Sequence, residues 1–105
     1  MSSSGDTQTD LLTAAITAFV GYGSRRTPGT DDAAVFALAP SDGAQLLELV
    51  KRILRASDTV KLGDDPFENG SLAGPFASEF EKIWPGLSRE ALDVLAWRWA
   101  YLEYF

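Results

Sequence analysis

Histidine and cysteine are both absent from this 105-residue chain, and methionine occurs once. Without cysteine there is no disulfide framework, no thiol nucleophile and no thiolate metal site. Without histidine the common catalytic triads, zinc sites and near-neutral proton carriers are gone as well. Carboxylates, lysine, tyrosine or a magnesium site remain as possible chemistry. The sequence has none of the spacings that usually carry it: no phosphate-binding P-loop, no G-x-G-x-x-G, no G-x-S-x-G and no metal-ligand pattern. The chain therefore reads as a non-enzyme without a cofactor.

Positive charge is also in short supply. Nine Lys and Arg face fifteen Asp and Glu, for a net charge of −6 and a pI near 4.4. Phosphate backbones and anionic membranes select basic surfaces, so neither nucleic acid nor membrane is expected as a partner. A basic protein partner is compatible with this charge. No apolar run approaches the roughly 18 residues of a membrane span. The opening MSSSGDTQTD lacks the basic and apolar regions of a signal peptide. A cytoplasmic location is the expectation. Arginine outnumbers lysine and alanine is abundant, a composition suggestive of a GC-rich bacterial genome.

What the chain does have is apolar material, 46% of its residues, with mean hydropathy near zero. That suffices for one globular core. The apolar residues recur with helical period, and no second convincing strand is present. The expected fold is a compact all-α single domain of four to five helices over 7–105, with residues 1–6 a disordered tail.

The final stretch, Ser88–Phe105, dominates the reading. Ser88 suits an N-cap, Glu90 complements the helix dipole, and Pro85-Gly86 marks a turn just before. At about 100° per residue, Ala91, Leu92, Val94, Leu95, Trp99, Leu102 and Phe105 share one face. Arg98 projects into that face near Ala91, Val94 and Leu102. Such a guanidinium either snorkels or pairs with an internal carboxylate, or it receives an anion or a partner's carboxylate. Trp97, Tyr101 and Tyr104 form a row at spacing i, i+4, i+7 beside the polar face. A neighbouring helix covers such a row in a core; uncovered, Trp and Tyr are favoured interface anchors.

Earlier in the chain, Thr7 is positioned to cap a first helix running to about Tyr22, with Leu12, Ile16 and Phe19 inward and Gly21 and Gly23 ending it. Arg25 and Arg26 in SRRTPGT are either a solvated connector or an anion-binding loop. Thr30 caps DDAAVFALA, where helix is favoured although VFAL is also compatible with a buried strand. Ser41 or Asp42 starts the next helix, reaching about Ala56. The connector 57–70 is acidic; Asp58, Asp64, Asp65 and Glu68 do not match the calcium-loop spacing, and Phe67 is expected to pin it to the core. A helix from Ser71 carries Leu72, Phe76, Phe80 and Ile83 inward. A tight turn then makes the last two helices an antiparallel hairpin. The expected core is Leu12, Ile16, Phe19, Leu46, Val50, Ile53, Phe76, Phe80, Ile83, Leu95, Trp99 and Leu102.

The functional expectation is a small acidic module acting by protein–protein contact: an inhibitor, an immunity-type protein, or a self-associating subunit. Its candidate binding residues are Trp97, Arg98, Tyr101 and Tyr104. The alternative is a small-molecule or anion-binding helical domain, in which Arg98 with Arg25 or Arg26 lines an aromatic pocket.

Overall fold

The computed structural model describes residues 4–23, 26–62 and 73–104, with side chains described from residue 10 to residue 103 within those ranges. Five helices appear in order: α1 (Ser4–Val20), α2 (Asp32–Leu38), α3 (Gly43–Ser57), α4 (Ala73–Ile83) and α5 (Arg89–Tyr104). No strand occurs among the described residues. The fold is a compact all-α domain, and its radius of gyration of 13.8 Å is close to the ~13 Å of a compact chain of this length.

The helix boundaries follow local chemistry. α1 already contains Thr7, so the expected cap there is displaced: the helix begins at Ser4, inside the stretch expected to be tail. It ends where Gly21 takes a left-handed φ of 88°, a conformation that costs glycine nothing. The Gly21 and Tyr22 amides both donate to the Thr17 carbonyl, at 2.9 and 3.2 Å. The Gly29 amide then donates to the Val20 carbonyl at 2.9 Å, folding the following loop back onto the helix end. α2 is helix and not strand, and its cap is Asp31 rather than Thr30; the Asp31 carboxylate accepts from the Ala34 amide at 3.1 Å. α5 is capped as expected, with Ser88 Oγ accepting from the Ala91 amide at 3.0 Å.

One core joins all five helices. Ile16, Phe19 and Val20 of α1 meet Val50, Ile53 and Leu54 of α3, Phe76 and Phe80 of α4, and Ala91, Leu92, Val94, Leu95 and Trp99 of α5. Val35 is the one fully buried contribution of α2. Two expected core residues lie outside: Ile83 is 46% exposed and Leu102 is 56% exposed. Each sits in the last turn of its helix. Leu12 and Leu46 are half-buried against the core.

The relative directions of the helices follow from specific contacts. Phe76 and Trp99 meet with ring centroids 6.0 Å apart, early on α4 against late on α5, so the two form the expected antiparallel hairpin. α1 and α5 instead run parallel. The Thr13 hydroxyl meets the Ser88 hydroxyl, and one interval further along both helices Tyr22 meets Trp97. This parallel pair sets the geometry of the candidate site.

Candidate functional site

The residues singled out on α5 separate into two groups. Arg98 and Trp99 face the end of α3. The Arg98 guanidinium donates to Asp58 Oδ1 at 2.7 Å and lies 3.5 Å from Ser57 Oγ, with its side chain only 16% exposed. Asp58 is the C-cap of α3, so a cation also lies against the negative end of that helix. Next to it, Trp99 Nε1 donates to the Val60 carbonyl at 3.3 Å, and Val60 is itself buried. Together these bonds fasten the α3 exit to α5. Val60 pins the start of the connector; Phe67, expected in that role, lies outside the described residues. Arg98 thus meets the internal carboxylate that was one of its two sequence readings.

Trp97 faces the other way. Its ring meets Tyr22 edge-on, with centroids 5.2 Å apart and planes at 73°. Trp97 is half-buried, whereas Tyr22 is 43% exposed. Tyr101, one turn beyond Trp97, is also half-buried. The side chain of Tyr104 lies outside the described residues, as does Arg25. Arg26 is exposed in the loop after α1 and forms no ion pair among the described residues. The structure therefore joins Trp97 to Tyr22, a residue not among the expected site residues, and shows no contact between Arg26 and Arg98. The sequence signal for Tyr22 was available: flanking glycines place it just past the helix end, where an aromatic ring can fold onto a neighbour.

Below Tyr22 a groove of about 500 Å³ runs between α1 and the start of α5. Asp10, Thr13, Ala14, Thr17, Ala18 and Tyr22 form its α1 wall; Ser88 and Glu90 form the opposite rim. The α1 residues recur every three to four positions along a stripe of about 18 Å at ~1.5 Å rise per residue. Its floor hydroxyls are bonded internally: Thr17 Oγ1 donates to the Thr13 carbonyl at 2.8 Å, and Thr13 and Ser88 share a hydrogen bond. Among the described residues no arginine lines it.

Among the described residues no cluster of acidic side chains is arranged to hold a metal ion. Of the acidic connector residues, Asp58 pairs with Arg98, while Asp64, Asp65 and Glu68 lie outside the described range. Also among the described residues, no helix is long and apolar enough to cross a membrane. Compared with known proteins, the chain matches no family model, no curated protein and no solved structure.

Proposed function

We propose that this chain is a small acidic, non-catalytic protein–protein interaction module of the cytoplasm, and that it recognises its partner through the α1–α5 face. The supporting observation is the Tyr22–Trp97 pair: two large aromatic rings hold each other edge-on, and one is 43% exposed. Aromatic rings with one apolar body and one polar tip are the commonest anchors of protein interfaces. Tyr101 extends the patch along α5, and the groove extends it along α1. The lack of histidine and cysteine and the net charge of −6 agree with recognition rather than chemistry. An inhibitor, an immunity-type protein and a self-associating subunit would all use such a surface.

The test is site-specific photo-cross-linking in cells that make the protein, with a benzoylphenylalanine at Tyr22 in one variant and at Ser78 in another. Ser78 is exposed on α4. The expected result is a discrete cross-linked product, with another protein or with a second copy, from position 22 and not from position 78. No product from position 22, or equal products from both, would sink this reading.

A further inference from the structure

The acidic residues of this chain are not equivalent. Five of the eleven described acidic side chains are matched by a cation: Asp32 by Lys51, Glu48 by Arg52 and Arg55, Asp58 by Arg98, Glu79 by Lys82 and Asp93 by Arg89. Asp10 and Glu90 have no ion-pair partner among the described residues, and both line the α1–α5 groove. The position of Glu90 in the first turn of α5 suits the positive end of that helix. Asp10 has no such explanation, because it lies well inside α1. Between them the floor offers small apolar surface, Ala14 and Ala18, and at one end the Tyr22 ring. The shallow depression on α3 is the contrast: its carboxylate, Glu48, is already bridged by two arginines.

A groove with an apolar floor and carboxylates on both walls is complementary to one kind of side chain. Lysine and arginine carry an apolar stem and a cationic head. Resting on the interaction-module reading above, we infer that the α1–α5 groove docks a Lys- or Arg-bearing peptide segment of a protein partner, its stem over Ala14 and Ala18 and its charge between Asp10 and Glu90. The hydroxyls of Thr13, Thr17 and Ser88, already bonded to one another or to backbone, shape the floor.

The test uses the intact protein and a capped hexapeptide alternating lysine and leucine, followed by amide chemical shifts. A glutamate-for-lysine counterpart is the control. The expected result is saturable binding of the lysine peptide, with shifts confined to residues 10–22 and 88–98. Asp10→Asn with Glu90→Gln should weaken it about tenfold, as loss of two partly exposed charge pairs would. Asp42→Asn with Glu81→Gln, the same change of charge elsewhere, should weaken it by less than about twofold. Should the first double variant fold poorly, Asp10→Asn alone carries the comparison. No binding of the lysine peptide, shifts scattered over the surface, or equal weakening by the two double variants would overturn the inference. A cross-link from Tyr22 with no peptide binding would leave the module reading standing and remove only the cationic groove. Peptide docking with no cross-link would remove the module reading instead.

Discussion

Three adjacent residues, Trp97, Arg98 and Trp99, show how one turn of helix divides its work. Arg98 and Trp99 tie α5 to the end of α3, through Asp58 and Val60. Arg98 is largely enclosed while Asp58 is about half exposed, so the pair lies between the buried and surface regimes. Replacing Arg98 by Ala should cost about 1–2 kcal/mol, above a surface pair and below a fully buried one. Urea unfolding checks this: the midpoint falls while the slope stays the same. Arg98→Met, which keeps the packed stem, should recover part of the loss. That Arg98 needed a partner was legible from its place on an apolar helix face. Which partner was not, because Asp58 is 40 residues away and reaches the site only through the C-terminus of α3.

At the level of elements, helical periodicity located α1, α3, α4 and α5, while α2 was only favoured as helix over strand; periodicity reported which way a side chain faces and not what covers it. Ile83 and Leu102 have inward phase and are nevertheless exposed, each in the last turn of its helix. The α2–α3 corner shows the opposite case, a close approach that periodicity does not record. A Cβ on Gly43 would lie 2.3 Å from Phe36 Cδ1 and 3.1 Å from the Phe36 Cα. The ring is partly exposed and can swing away; the backbone must shift. Gly43→Ala should therefore destabilise by about 1 kcal/mol despite the better helix propensity of alanine. In a Phe36→Ala background the ring clash is gone, and the same substitution should cost less. A double-mutant cycle of thermal or urea unfolding measures that coupling; additive costs would place the constraint in the backbone alone.

For the whole molecule, the parallel pairing of α1 with α5 organises both the core and the proposed surface. α2 and α3 pack on α1, and α3 and α4 pack on α5; along the pair runs the groove between Asp10 and Tyr22. The all-α class, the hairpin of α4 and α5, and the importance of the α5 aromatics were legible in the sequence. The groove was not, since it depends on Thr13 meeting Ser88 across 75 residues of sequence. The central claim is that the aromatic residues divide into those that hold the fold and those that face a partner. Equilibrium urea unfolding of Tyr22→Ala beside Trp99→Ala tests it most directly. Tyr22→Ala should cost at most about 1 kcal/mol, the worth of a partly exposed edge-on ring contact, whereas Trp99→Ala should cost about 3–5 kcal/mol. Comparable losses from both would make Tyr22 a core residue and contradict the assignment of the α1–α5 face to recognition.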